Sequence, residues 1–214
     1  MLTLYDFAMA PSPRRARILL AEKGVSHDTV SVDLRRHEQL SADFRAINPL
    51  CTVPALRLDD GSVLTDNAGI AAYLEAQYPE PPLLGRTALE KAEIASWNWR
   101  IEFEGLGSVA EALRNSAPAM KDRALTGPQG YAQIPELAQR GLARLQHFLA
   151  ELDRHLAGRD TVAGDGFSIA DITAVVMLDF ARVVRVKPDA VSHPELTRWR
   201  ALMAARPSKV LQPA

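Results

Sequence analysis

The chain contains almost no cysteine and no excess of either charge. Cys51 is its one cysteine among 214 residues, so internal disulfides and motifs of paired cysteines that bind zinc or exchange electrons are excluded. The formal net charge is −1, which gives no electrostatic reason to expect binding to nucleic acid or acidic membranes. The five histidines have no metal-ligand spacing. We therefore expect no metal site.

Long hydrophobic runs are also lacking. The N-terminal stretch has no basic segment ahead of an apolar run, so it does not resemble a signal peptide. The longest nearly apolar run, residues 167–180, is interrupted by Asp171 and Asp179 and is too short to span a bilayer. Hydrophobic residues make up 47% and charged residues 24%, which is typical of globular proteins. These features predict a cytoplasmic protein without a membrane segment.

Strand and helix patterns alternate in the first part of the chain. Residues 1–80 predict the order β-α-β-α-β-β-α. The first helix is predicted over Pro13 to Lys23 and ends at Gly24. Asp59-Asp60-Gly61 is a strong signal for a hairpin turn, and an apolar helix over Asn67 to Gln77 closes this part.

The second part of the chain has only helical patterns. Several prolines just after residue 78 predict a linker, which we place at 81–88. Ser168 and Asp171 have the spacing of a capping box at the start of an apolar helix. Four helical segments follow the linker: Leu89 to Arg114, Ile134 to Ala157, Ser168 to Val184 and Pro194 to Ala205. We predict an α/β domain over 1–80 and an all-α domain over 89–214.

Two short motifs in the first part are suited to hold a small peptide. Pro54 cannot donate to a sheet, and the residue before a proline is pushed into an extended conformation. If the Val53–Pro54 bond is cis, the Val53 amide and carbonyl would stay free to pair with an extended ligand. Asp66 or Asn67 can cap the next helix, whose first amides would then face an anion. An acidic side chain beside free amides suits an α-amino-acid head group.

Four segments of the chain, in their order, resemble the cytosolic glutathione transferases. The resemblance covers essentially the full length and implies a thioredoxin-like α/β domain that binds glutathione, an all-α C-terminal domain and a homodimer. The segments are LYDFAMAPSPRRARILLAEKG, INPLCTVPAL, LTDNAGIAAYLE and GDGFSIADIT.

The resemblance implies contacts for each part of glutathione. Val53, before Pro54, would pair with the cysteinyl backbone. Asp66 and Asn67 stand where the family usually has Glu-Ser and would hold the γ-glutamyl head group. The glycine carboxylate would be held by Gln39, with two near alternatives: Arg36 and His37.

The resemblance implies Ser12 as the residue that activates the thiol. Ser12 directly precedes a proline, as the catalytic residue does in some members; other classes place it two residues earlier, where this chain has Ala10. Tyr5 lies one residue before the tyrosine position of animal classes. A hydroxyl at a helix N-terminus stabilises a thiolate, whose thiol otherwise has a pKa of about 8.5. The alternatives are backbone amides with water alone and a purely capping Ser12. Arg14 and Arg15 follow closely and would add positive field.

The resemblance also implies a reaction. We expect glutathione to be the co-substrate and its thiolate to be joined to a small hydrophobic electrophile. The alternatives are a glutathione-dependent peroxidase or thiol–disulfide oxidoreductase, and a non-catalytic binding protein of this fold. Cys51 is expected to be a small buried residue rather than a redox thiol. Four residues are candidates for the electrophile site: Met9, Ala10, Arg100 and Phe103.

Overall fold

The computed structural model describes residues 1–206 and separates them into two compact units. The first unit comprises Met1–Pro81 together with Leu125–Gly130. The second comprises Pro82–Ala124 and the described residues from Tyr131 onward. A short segment from the helical part of the chain therefore belongs to the first unit.

The first unit is built on a four-stranded mixed sheet. Its strands are β1 (Thr3–Asp6), β2 (Asp28–Ser31), β3 (Ala55–Arg57) and β4 (Val63–Leu64). The order across the sheet is β2-β1-β3-β4, with β2 parallel and β3 antiparallel to β1. The hairpin between β3 and β4 closes with a bond from Leu58 N to Ser62 O at 2.8 Å, and Gly61 adopts a φ of 89° that favours glycine. The predicted hairpin is confirmed.

The helices of the first unit complete the predicted order of elements. They are α1 (Pro11–Glu22), α2 (Ala42–Ile47) and α3 (Asn67–Gln77), with single 3₁₀ turns at Leu34–Arg36 and Glu38–Leu40. One boundary was wrong, because α1 begins at Pro11 rather than Pro13. Proline is tolerated throughout the first turn, where its missing N–H would have no helical partner. The pattern therefore fits either start.

A buried lysine fixes the end of α3. Lys23 Nζ donates to the carbonyls of Tyr78 at 2.6 Å and Pro81 at 2.8 Å. It also forms an ion pair with Glu75 at 2.7 Å, and its side chain is fully buried. The cation leaves water only because three oxygen atoms replace its hydration.

The second unit is helical. Its helices are α4 (Ala88–Arg100), α5 (Gly107–Ser116), α6 (Pro135–His155), α7 (Ile169–Ala181) and α8 (Pro194–Ala204). A π-helical segment, Ile101–Leu106, joins α4 to α5 where the sequence predicted one continuous helix. α7 is buried on nearly all sides and forms the centre of the unit. Within residues 1–206, none of the helices has both the length and the apolar character needed to cross a membrane.

The predicted capping box starts α7. Asp171 accepts bonds from Ser168 N at 2.9 Å and Ser168 Oγ at 3.1 Å, and its second oxygen accepts from Val162 N at 2.8 Å. Burial raises the pKa of Asp171 to about 6, while these donors act in the opposite direction. The prediction is confirmed, and Asp171 also ties the preceding loop to the helix.

Candidate functional site

The start of α1 offers hydrogen-bond donors on a single residue. Ala10 is the N-cap and makes no side-chain capping bond, so the interpretation of Ser12 as the cap is wrong. Pro11 and Pro13 have no backbone N–H, and Arg14 N is bonded to Ala10 O at 3.4 Å. Among the described residues, neither the Ser12 amide nor its hydroxyl has a hydrogen-bonding partner. Both donors of the half-buried Ser12 are therefore available to a ligand.

Arginine side chains hold the loop that leads into α1. Arg17 forms an ion pair with Asp6 at the end of β1 and donates to Ala8 O at 3.0 Å. Arg35 Nη2 lies 3.2 Å from the sulfur of Met9, whose side chain is exposed. The loop is thus anchored to both α1 and the 3₁₀ turn after β2.

Val53 presents free backbone groups beside the sheet. The Val53–Pro54 peptide bond is cis. The Val53 side chain is 9% exposed and packs into an apolar cluster with Tyr5 and Phe44. Among residues 1–206, the amide and the carbonyl of Val53 have no hydrogen-bonding partner. An extended ligand can therefore pair with both groups.

The start of α3 combines an acidic side chain with free amides. Asp66, rather than Asn67, is the N-cap, and its Oδ1 accepts from Gly69 N at 2.7 Å. Asp66 is exposed, so its other carboxylate oxygen faces solvent. The backbone amides of Asn67 and Ala68 have no partner among the described residues. This arrangement can receive an ammonium and a carboxylate together.

The topology of the sheet brings the three candidate segments, at Ser12, Val53 and Asp66, to one edge. α1 follows the end of β1, and antiparallel β3 begins beside that end, where Tyr5 pairs with Ala55. β4 is antiparallel to β3 and ends beside its start, where Leu64 pairs with Leu56. The same edge of the sheet therefore carries the end of β1, which Ser12 follows, and the start of β3, which Val53 precedes. It also carries the end of β4, which Asp66 follows.

The candidates for the glycine carboxylate are less well placed. Gln39 is 7% exposed, and its buried Oε1 has no hydrogen-bonding partner among the described residues. A carboxylate cannot satisfy an acceptor, so Gln39 would have to present its Nε2 instead. Arg36 and His37 are exposed on the neighbouring turns, with His37 at a φ of 59°. They remain alternatives.

Tyr5 and Cys51 belong to the interior. The buried Tyr5 ring meets Phe44 edge-on with 6.0 Å between ring centroids. Cys51 is buried, as predicted, and its sulfur lies 3.6 Å from Pro49 O. We assign neither residue a chemical role.

Arg100 and Phe103 lie in the helical unit. Arg100 forms ion pairs with Glu104 at 3.0 Å and Glu151 at 2.6 Å, and hydrogen bonding to Glu104 raises its pKa further. Its charge is already balanced, which indicates a structural role. Phe103 is 55% exposed and stacks on Trp99 with 5.1 Å between centroids. A surface cavity of about 490 Å³ is lined by Phe103, Glu104, Ala143, Arg144 and His147.

Within residues 1–206, no group of three or more His, Cys, Asp or Glu side chains is arranged to hold a metal ion.

Comparison with known proteins defines the class of protein. The family model described as "Glutathione S-transferase, N-terminal domain" matches residues 10–77, and "Glutathione S-transferase, C-terminal domain" matches residues 117–207. Glutathione S-transferase 2 of Saccharomyces cerevisiae is 35% identical over 208 residues, which is 96% of this chain and 86% of the yeast protein.

Solved structures agree with these matches. The crystal structure of Gtt2 from Saccharomyces cerevisiae aligns with a TM-score of 0.88 and 34% identity, covering 98% of this chain and all 100% of that one. A glutathione S-transferase domain-containing protein of Marinobacter aquaeolei VT8 aligns with a TM-score of 0.87, 34% identity and the same coverage. The chain belongs to the glutathione S-transferase family, with the thioredoxin-like and helical architecture predicted from its sequence.

Sequence patterns missed two features of the site. In the segment Pro11-Ser12-Pro13, two prolines around one residue leave a single backbone donor, and the sequence already contains this signal. No sequence pattern indicated that Arg17 holds the preceding loop. Its partner Asp6 is eleven positions away, and the ion pair depends on the packing of α1.

Proposed function

We propose that the protein joins the thiolate of glutathione to a small hydrophobic electrophile, with Ser12 as the residue that stabilises the thiolate. The observation that carries this proposal is the pair of unpartnered donors on Ser12 at the start of α1. A donor hydroxyl, a free amide and the positive end of a helix all favour a negative sulfur atom. Ser12 donates hydrogen bonds and does not take the proton of the thiol.

Glutathione would bind along the edge of the sheet. The backbone of Val53, next to Pro54, would pair with the cysteinyl residue. The exposed oxygen of Asp66 would accept from the γ-glutamyl ammonium, and the free amides of Asn67 and Ala68 would receive its carboxylate. The glycine carboxylate would lie toward Gln39.

The proposed reaction is a nucleophilic displacement. The thiol releases its proton to solvent, the sulfur forms a bond to carbon, and the leaving group departs with the electron pair of the broken bond. Lowering the thiol pKa from about 8.5 raises the thiolate fraction at neutral pH. We place Met9 and Ala10 among the residues that meet the electrophile, and we leave Arg100 out because of its two ion pairs.

Two other glutathione-dependent activities are the alternatives. Thiol–disulfide exchange through a protein cysteine would require an accessible thiol, and Cys51 is buried. A peroxidase reaction needs only the glutathione thiolate and a hydroperoxide, so the same site would serve it.

The proposal also includes a homodimeric assembly, a cytoplasmic location and a division into domains at 1–80 and 89–214.

The test is glutathione-dependent turnover of an activated aryl halide, run beside turnover of an organic hydroperoxide. Wild type should release halide, and Ser12→Ala should lose most of that rate. Ser26→Ala is the matched control, because Ser26 is an exposed serine of the same unit. Binding of glutathione without turnover of either substrate would identify a binding protein instead.

A further inference from the structure

Asn48 is a polar residue with no exposed surface at the end of α2. Its Nδ2 donates to Thr52 O at 2.8 Å and to Thr52 Oγ1 at 3.2 Å. Its Oδ1 accepts from Leu50 N at 2.9 Å, and its own carbonyl accepts from Cys51 N at 2.9 Å. One carboxamide therefore spans the loop of residues 48–52 and has all its bonds there.

The bond to Thr52 O fixes the direction of another group. The carbonyl of Thr52 and the amide of Val53 belong to one peptide unit, and this bond is not among the cis bonds of the described chain. In a trans peptide the C=O and the N–H point in opposite directions. With its oxygen held by Asn48, the peptide must direct the Val53 N–H away from Asn48. That N–H has no hydrogen-bonding partner among residues 1–206.

The same bond also changes the strength of the free donor. A hydrogen bond accepted by a peptide oxygen polarises the unit and makes its N–H a better donor. Because the carboxamide is buried, the bond is shielded from competing water. Asn48 thus acts on both the orientation and the donor strength of the Val53 amide.

We propose that Asn48 is a positioning residue for the ligand: it aims and polarises the Thr52–Val53 peptide so that the Val53 amide is ready to pair with the cysteinyl carbonyl of glutathione. This inference rests on the proposed function. Asn48 does not touch glutathione and acts only through Thr52. The side chain lowers the ordering needed on binding, because the loop is held in the receiving geometry beforehand.

Asn48→Asp is the sharpest variant. It keeps the size of the side chain and an acceptor for Leu50 N, but it replaces the donor to Thr52 O with an oxygen that repels it. Thr52→Val is a graded comparison, because it removes only the weaker bond to Oγ1 and keeps the carbonyl. We expect Asn48→Asp to raise the Kd for glutathione about 3- to 10-fold, the usual effect of one lost hydrogen bond.

A structural role alone would not give the expected kinetic pattern. In Asn48→Asp the KM for glutathione should rise, while kcat at saturating glutathione stays within about twofold of wild type, because Ser12 is unchanged. Thr52→Val should raise the KM for glutathione less than Asn48→Asp does. Equal glutathione affinity in folded Asn48→Asp and wild type would overturn the inference while leaving the proposed function standing. Failure of wild type to bind millimolar glutathione would overturn both.

A measurement on wild type alone covers the case in which Asn48→Asp does not fold. In ¹⁵N-labelled protein, added glutathione should shift the Val53 amide resonance downfield and slow hydrogen exchange of the Asn48 carboxamide, because the two bonds strengthen each other. An Asn48 carboxamide that exchanges at the same rate with and without bound glutathione would overturn the inference.

Discussion

Removal of the Ser12 hydroxyl should raise the pKa of the bound thiol. In Ser12→Ala the sulfur loses a hydrogen bond to a charged group, which is worth about 1.5–3 kcal/mol. At about 1.36 kcal/mol per unit, the pKa of the bound thiol rises by roughly one to two units. The change is local, because the Ser12 hydroxyl makes no bond within the described chain and Ala10 caps the helix. The folded structure should therefore be unaffected.

The direct assay is thiolate absorbance in the ultraviolet, followed against pH with glutathione bound to each variant. Turnover at neutral pH should fall by up to about 10- to 100-fold, and it should recover in part above pH 8, where solvent supplies the thiolate. A more basic thiolate is also more nucleophilic, which returns some of the lost rate. Glutathione affinity should change much less than turnover, because the contacts at Val53 and Asp66 remain.

The backbone contribution can be separated from that of the hydroxyl. Ser12→Ala keeps the Ser12 amide, so some activation should persist. Pro13→Ala in that background adds a second free N–H at the start of α1, and the pKa of the bound thiol should fall again. Superimposable titrations of wild type and Ser12→Ala would refute the role of the hydroxyl. Activation of the thiol would then be assigned to the backbone amides.

Three further predictions test the head-group contact, the α3 anchor and the capping box. Asp66→Asn keeps the bond to Gly69 N but loses the charge, so calorimetry should give a glutathione Kd roughly 3- to 10-fold higher; an unchanged Kd would contradict the assignment. Lys23→Met should lower the free energy of unfolding by about 3–5 kcal/mol in denaturant titration, because the buried ion pair to Glu75 is lost and the carbonyls of Tyr78 and Pro81 lose their donor, and Glu75→Gln should restore part of it. The folded pKa of Asp171 is about 6 against 3.8 for the free side chain, so its protonated form is favoured in the fold. The stability of wild type relative to Asp171→Asn should therefore be greatest below pH 4 and fall by about 3 kcal/mol as the pH rises through 6; a constant difference would contradict the shift.

The order of elements was predictable because each element carries a local signal. Gly24 ends α1, Asp60 and Gly61 make the hairpin turn, and Ser168 with Asp171 starts α7. In each case the residues that decide the structure are within a few positions of one another. Such signals survive in the folded chain because the tertiary contacts agree with them.

Features that depend on distant packing were not predictable. The π-helical segment Ile101–Leu106 occurs where Gly105 lies so close to α7 that an added Cβ would be 2.8 Å from Met177. The segment Leu125–Gly130 has no pattern that assigns it to the first unit, where Gly127 approaches the carbonyl of Leu50. Neither contact has a sequence spacing that periodicity could reveal.

The residues of the candidate site also divide into those that the sequence predicts and those that it does not. The motifs at Val53 and Asp66 were visible because they follow rules of local backbone chemistry, whereas Ser12 was indicated by the resemblance to a family. Asn48 was not singled out, because an asparagine at the end of a helix usually serves only the local turn. Its proposed importance arises from the identity of its partner, since Thr52 O shares a peptide with the Val53 amide, which has no hydrogen-bonding partner among the described residues. Under this proposal, a side chain that does not contact glutathione sets its affinity through a hydrogen-bond pattern that only the three-dimensional structure reveals.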